Sequence, residues 1–444
     1  MSGKRRAIFV FDPPMFLSMI FLMFAGILAI YSSNHSNAHS ALHNSAYIRQ
    51  IIFVLVGLGI VWIMMFINYT KMVEQRMILY AASVVLLVLT LIPHVGRLVN
   101  GSRSWILFIQ PAEFIKLAVI LVLAGVLDAM GDEIRTLKGF AIALVIPAVP
   151  MALILLQPDF GTFLVYVPIA LVMLFVAGAR IRYLFGLISI GVVGLAVPMF
   201  LSYSRMINST DSIFFIFFSH RSYIAYIAFL FAFLAALLAV INLYASNRRI
   251  GLAAYVFFIL FLSFLAAIML DITLKEYQKQ RLLVFLNPEL KKLSSGYNII
   301  QALIAIGSGG LIGRGFLKGS QSQLDFIPQQ MNDFVFSNIG EEWGFLGSAL
   351  VLIAFFIIVY RGMRIAMQSK DKLGAMIAAG IATMFLFHVM VNIGMAMGVM
   401  PITGIPLPFV SAGGSSLITF AAALGVLFNI DIRRYVHGDG IERA

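Results

Sequence analysis

Glu113 and Lys116 stand three residues apart inside an apolar run, so a helix there carries both on one face. Ionisable side chains within apolar spans face a protein interior or a wet cavity and pair with one another. A lysine held by a glutamate keeps further N–H donors, which suits a phosphate ligand as well as a purely structural ion pair. The pair follows Gln110-Pro111-Ala112. A second polar break reads Gln157-Pro158-Asp159-Phe160-Gly161-Thr162, and a third runs from Gly404-Ile405-Pro406-Leu407-Pro408-Phe409 to Gly413-Gly414-Ser415-Ser416. Pro and Gly interrupt helices there and free backbone N–H and C=O groups, which membrane depth tolerates only where protein or a wet cavity satisfies them. Ordinary helix punctuation is the plainer alternative. His35, His39 and His43 recur every fourth residue and on a helix would align three imidazoles for a metal, but the Ser and Asn around them read as a solvated polar loop. The glycines of Gly307-Ser308-Gly309-Gly310, with Gly313 and Gly315, lack the spacing of a phosphate-cradling loop and read as a backbone bend or close approach.

The elements that must hold these residues are membrane helices. Of 444 residues, 61% are hydrophobic and 11% charged, against roughly 45 to 50% and about 25% in soluble domains. No soluble core could bury that much apolar surface, so lipid must solvate much of it. Apolar runs of helix-spanning length begin near residues 15, 50, 77, 112, 139, 160, 183, 222, 250, 346, 373 and 412, which predicts an all-α polytopic protein with about twelve transmembrane helices. The runs do not alternate in polarity, which excludes a transmembrane β-barrel. The chain has no cysteine, which excludes disulfides, thiolate metal sites and a cysteine nucleophile.

The net charge of +12 is distributed by side. With the N-terminus cytoplasmic, Lys4/Arg5/Arg6, Lys71/Arg76, Arg135/Lys138, Arg180/Arg182, Arg248/Arg249, Arg361/Arg364 and Arg433/Arg434 all fall inside, and so does the C-terminus. The basic excess therefore sets orientation and meets anionic lipid headgroups, and it calls for no nucleic-acid partner. The polar breaks fall outside, as does the stretch 271–345, which holds seven acidic and seven basic residues. A structureless loop of that length is improbable unless functional, so it is expected to be ordered, partly re-entrant and to carry the site. On composition alone, a flippase or transporter for a lipid-linked precursor is an alternative to an enzyme. A transporter would put its polar residues near the midplane, whereas here they gather at the outer boundary.

In order along the chain, Trp105, Gln110-Pro111-Ala112-Glu113 with Lys116, Gln157-Pro158-Asp159, Tyr277-Gln278 with Arg281, Asn287-Pro288, Gly296-Tyr297, the 304–311 stretch, Gly319-Ser320-Gln321-Ser322-Gln323, Asp333-Phe334, Glu341-Glu342-Trp343-Gly344-Phe345 and the 404–409 stretch resemble the SEDS family (shape, elongation, division and sporulation), and the 319–323 stretch its RodA-like branch. The resemblance spans the single membrane domain 1–444 except for about 203–270, which reads as an inserted transmembrane hairpin on a ten-span plan. It implies a peptidoglycan glycosyltransferase of cell-wall elongation in the bacterial plasma membrane. Such an enzyme polymerises lipid II, an undecaprenyl-pyrophosphate disaccharide-peptide, on the outer face, with a class B penicillin-binding protein and the elongation machinery as partners. Its acceptor hydroxyl must lose a proton while the leaving pyrophosphate is stabilised, so a carboxylate base and nearby cations are required. By sign and sidedness the pyrophosphate contacts are Arg103, Lys116, Arg281, Arg314 and Lys318, while Trp105, Glu113, Asp159 and Asp333 are the further substrate-site residues that the motifs imply. No cofactor is evident, and no oxygen-ligand motif assigns a divalent cation.

The chain departs from the family at the decisive carboxylate. Where the family reads Asn-Pro-Glu-x-Asp, this chain reads Asn287-Pro288-Glu289-Leu290-Lys291, and the spacing to Gly296-Tyr297 leaves no gap to slide. Lys291 stands at the Asp position. Glu289, two residues upstream, is the expected substitute carboxylate. The rival expectation is a catalytically impaired relative that binds lipid II or scaffolds a partner synthase.

Overall fold

The computed structural model describes residues 12–35, 45–99, 102–107, 109–207, 221–274, 278–279, 281, 284, 295–324 and 329–436. Its helices are α1 (Pro13–His35), α2 (Ser45–Phe66), α3 (Tyr69–Glu74), α4 (Arg76–Leu91), α5 (Pro111–Met130), α6 (Leu137–Leu156), α7 (Phe160–Val176), α8 (Ile181–Ile207), α9 (Arg221–Ala245), α10 (Arg248–Thr273), α11 (Ser295–Gly309), α12 (Ser320–Gln323), α13 (Val335–Gln368), α14 (Lys372–Ala396) and α15 (Gly414–Val436). Ten of these are long and apolar enough to cross a membrane, and α4 and α7 are shorter apolar helices. Together they occupy the twelve expected runs of this multi-pass membrane protein.

The boundaries follow local chemistry. Pro111 occupies the first turn of α5, where its missing N–H costs nothing. The carboxylate of Asp159 caps α7 by accepting from Thr162 N at 3.1 Å, and Asp371 caps α14 through Gly374 N at 2.9 Å. Between α4 and α5, where the sequence reads as loop, Arg97–Val99 and Ser102–Trp105 form a small antiparallel hairpin, β1 and β2.

Contact density divides the chain into two units, 1–179 with 288–444, and 180–287. In the larger unit α14 and α15 are central: 78% and 89% of their apolar windows are buried, against 22% for α2. The smaller unit packs α8, α9 and α10 around Val197, Leu201, Ile224 and Ala267, and closes the end of α10 with a buried Lys279–Asp271 ion pair at 2.8 Å.

The stretch 271–345 contains α11, α12 and the first turns of α13. α13 starts at Val335, earlier than its apolar run, and breaks at Gly344 (φ 66°). The break redirects backbone groups to the glycine-rich turn after α11. Phe345 N and Leu346 N donate to Gly310 O and Leu311 O, while Arg314 N and Gly315 N donate to Glu341 O and Glu342 O, all at 2.9–3.1 Å. A Cβ on Gly309 would lie 2.0 Å from Gly340 O and one on Gly313 2.1 Å from Glu342 O. Gly309 and Gly313 thus make the close backbone approach expected within the glycine cluster.

Candidate functional site

Three of the four elements that frame the site end at the polar breaks of the sequence. The 110–113 break opens α5, the 157–162 break opens α7, and the 404–416 break leads into α15. They converge in the larger unit. Gln110 Nε2 donates to Asp159 Oδ2 at 3.3 Å, Gln110 N to Ser415 Oγ at 3.0 Å, and a Cβ on Gly161 would meet Thr403 O at 2.3 Å. The fourth element, α14, supplies two fully buried side chains one turn apart, His388 and Asn392.

At the centre lies a buried row of polar groups. Lys116 Nζ is 2.8 Å from Glu113 Oε1 and 3.0 Å from His388 Nε2, and His388 Nδ1 is 3.1 Å from Pro406 O. Asn392 Nδ2 donates to Ile405 O at 2.8 Å and to Asp333 O at 3.0 Å. The ammonium also sits 5.8 Å from the centre of the Phe420 ring. Lys116 and Glu113 side chains are 1% and 2% exposed. The expected ion pair is therefore present, but the donors that Lys116 was expected to keep for a phosphate are turned to His388 and to the Phe420 face. The physical reason is enclosure: α5, α14 and α15 close over the ammonium.

Asp159 is half-buried at the start of α7. Burial raises its carboxyl above the ordinary carboxylate value, opposed by hydrogen bonds from Thr162 N and Oγ1; the Glu113 charge raises it further and Lys116 lowers it.

A second network ties α1 to α12 and α13. Glu341 accepts from Gln321 N and Ser322 N at 2.8 and 3.0 Å, Glu342 accepts from Ser32 Oγ, and Asn338 Nδ2 donates to Ser33 Oγ at 2.7 Å. Exposed Arg314 donates to Ser320 Oγ at 2.7 Å, and Lys318 lies exposed on the same turn.

Beside the row lies a half-open groove of about 680 Å³. α2 contributes Arg49, Gln50 and Phe53, the hairpin region Arg97, Trp105 and Leu107, and the entry to α15 Ala412, Gly413 and Gly414. Its surface is mostly apolar, with two guanidinium groups. Such a groove suits an amphipathic anion, since arginine grips phosphate oxygens in a bidentate fashion and the apolar wall takes a hydrocarbon chain.

Of the expected residues, the structure brings Trp105 to the groove and Glu113, Lys116 and Asp159 to the buried row. Asp333 is tied to that row through its backbone carbonyl. Arg103, half-buried on β2, pairs across the hairpin with Leu98. Arg314 and Lys318 belong to the α11–α12 turn, and Arg281 lies in the smaller unit. Glu289, Lys291, His39 and His43 lie outside the described residues, as does the side chain of His35. Among the described residues no three His, Asp or Glu side chains gather as metal ligands. Sequence reasoning missed His388, Asn392, Arg49 and Arg97. The i, i+4 spacing of His388 and Asn392 inside an apolar helix is the signal that could have found the first two.

The chain matches the profile described as Cell cycle protein, covering FtsW, RodA and SpoVE, over residues 14–217 and 227–436. Only 218–226 of the expected insertion 203–270 falls outside that match. The peptidoglycan glycosyltransferase RodA of Treponema pallidum is 38% identical over 97% of this chain and 99% of that protein. Stage V sporulation protein E of Bacillus subtilis is 34% identical over 93% of this chain and 94% of that protein. A chain of the structure described as "Structural coordination of polymerization and crosslinking by a peptidoglycan synthase complex" superposes with a TM-score of 0.62 at 25% identity, covering 96% of this chain and 99% of that one. The match runs over nearly the whole length, and the chain belongs to the FtsW, RodA and SpoVE family of cell cycle proteins.

Proposed function

We propose that this chain is a peptidoglycan glycosyltransferase that polymerises lipid II during cell-wall elongation and rod-shape maintenance. It sits in the bacterial plasma membrane with both termini cytoplasmic and the groove on the outer face, and it works with a class B penicillin-binding protein. The groove carries this reading: Arg49 and Arg97 beside an apolar wall with Trp105 match a pyrophosphate joined to a prenyl chain. The similarity to the Treponema pallidum glycosyltransferase supports the reaction class. Glu289 takes the proton of the acceptor hydroxyl as it attacks the anomeric carbon, and Arg49 and Arg97, with Arg103, Arg314 and Lys318 as the further cations of the same unit, receive the departing pyrophosphate.

The reading is tested by incubating the purified chain with labelled lipid II, alone and with its partner synthase, and resolving glycan products on a gel. Wild-type chain is expected to build a product ladder that Glu289→Gln abolishes. Lys291 at the family's Asp position favours a second reading, a catalytically silent lipid II binder. An inactive wild type restored by Lys291→Asp would establish that second reading and reject Glu289 as the base.

A further inference from the structure

We infer that His388 is a positioning residue for the groove, its imidazole bound at one nitrogen to Lys116 and at the other to Pro406 of the turn that leads into the groove wall. The inference rests on the reading that the groove takes a lipid-linked pyrophosphate.

An ammonium group only donates hydrogen bonds, so Nε2 of His388, 3.0 Å from Lys116 Nζ, accepts. The imidazole proton is then on Nδ1, and 3.1 Å away stands Pro406 O, which only accepts. One neutral ring in the Nδ1–H form satisfies both neighbours, and no other protonation state does. Lys116 selects that tautomer, and Glu113 holds Lys116.

The turn needs outside support. Pro406 and Pro408 have no N–H, so the 404–409 stretch is short of donors for a backbone ladder of its own. Leu407 O accepts from the backbone N of Val410 and Ser411, and the other hydrogen bonds of the stretch come from side chains: His388 to Pro406 O, Asn392 to Ile405 O, and Ser411 Oγ as acceptor for Leu407 N at 2.8 Å. Ser411 O accepts from Gln50 at 3.4 Å, and Ala412 N donates to Met331 O at 2.8 Å. Gln50 and Ala412 both line the groove, as do the next two residues, Gly413 and Gly414. The buried row therefore acts on the groove through the backbone of this turn, and Lys116 does so without touching what the groove holds.

Two measurements test this. The first is binding of farnesyl pyrophosphate to detergent-solubilised chain, read by Trp105 fluorescence after Trp62→Phe and Trp343→Phe. His388→Leu removes both hydrogen bonds and is expected to weaken binding about tenfold, the scale of one hydrogen bond to a charged group. His388→Gln carries an acceptor and a donor on one carbon, as imidazole does, and is expected to stay within about twofold of wild type. Unchanged affinity in a folded His388→Leu chain overturns the inference. The second, which stands even where His388→Leu does not fold, is nitrogen-15 NMR of histidine-labelled wild type, with His388 assigned by its loss in His388→Gln. The Nδ1–H pattern is expected, and an Nε2–H ring or an imidazolium overturns the inference. Neither measurement uses polymerisation. A chain that binds and shows Nδ1–H but makes no glycan defeats the glycosyl-transfer reading and leaves the positioning role standing.

Discussion

Replacing Lys116 with Met separates an ion pair that tunes a site from one that the fold cannot lose. The pair is 2.8 Å long with its side chains 1% and 2% exposed, so solvent screens almost none of the interaction. Glu113 Oε2 is buried and has no hydrogen-bond partner, so in Lys116→Met the glutamate would keep a charge with neither oxygen compensated. Breaking a buried pair by deleting one partner costs about 3 to 5 kcal/mol. The same change leaves His388 Nε2 an acceptor without a donor, adding about 1 to 2 kcal/mol. The single variant should therefore lose about 5 kcal/mol, a large share of a typical folding free energy of about 5 to 15 kcal/mol. Adding Glu113→Gln removes the stranded charge, and the double variant should recover about 3 kcal/mol, a coupling well beyond the scatter of independent sites. Guanidinium titration in mild detergent, followed by tryptophan fluorescence, measures both. Loss below about 1 kcal/mol in Lys116→Met, or a double variant that is simply additive, would refute the account of an enclosed, mutually dependent pair.

Two further outcomes follow from the same structure. Because burial raises the Asp159 carboxyl in the folded chain, the native state holds its proton to higher pH than the unfolded chain, so its contribution is complete below the ordinary carboxylate range and declines as pH rises through the raised value. Asp159→Asn keeps a capping oxygen and should flatten that decline, measured as the unfolding midpoint at several values between about pH 4 and 7. Gly313→Ala places a Cβ 2.1 Å from Glu342 O at a φ of 82°, and should lower stability by about 2 to 4 kcal/mol while Gly307→Ala, with open space around it, changes it by less than about 1 kcal/mol.

Much of this protein is legible in its sequence because the bilayer imposes simple rules. A chain that must satisfy every backbone group internally forms helices wherever about twenty apolar residues run together, so all twelve runs appear as helices. The Glu113–Lys116 pair was readable from a three-residue spacing, since helical geometry alone makes those side chains neighbours. The close approach at Gly309 and Gly313 was readable from the glycine cluster around them for a similar reason, as only glycine admits a backbone carbonyl that near. What covered Lys116 was not readable. His388 lies 272 residues further along the chain, and no local rule joins an ammonium to an imidazole at that separation. Arg49 and Arg97 were lost among cations that share their sign, because sidedness selects a face of the membrane and not a place on it. Membrane helices form independently of one another, so their positions can be read from composition, whereas the site exists only where α2, α5, α14, the hairpin and the 404–411 turn pack together, and packing depends on shape and on partners far apart in the chain.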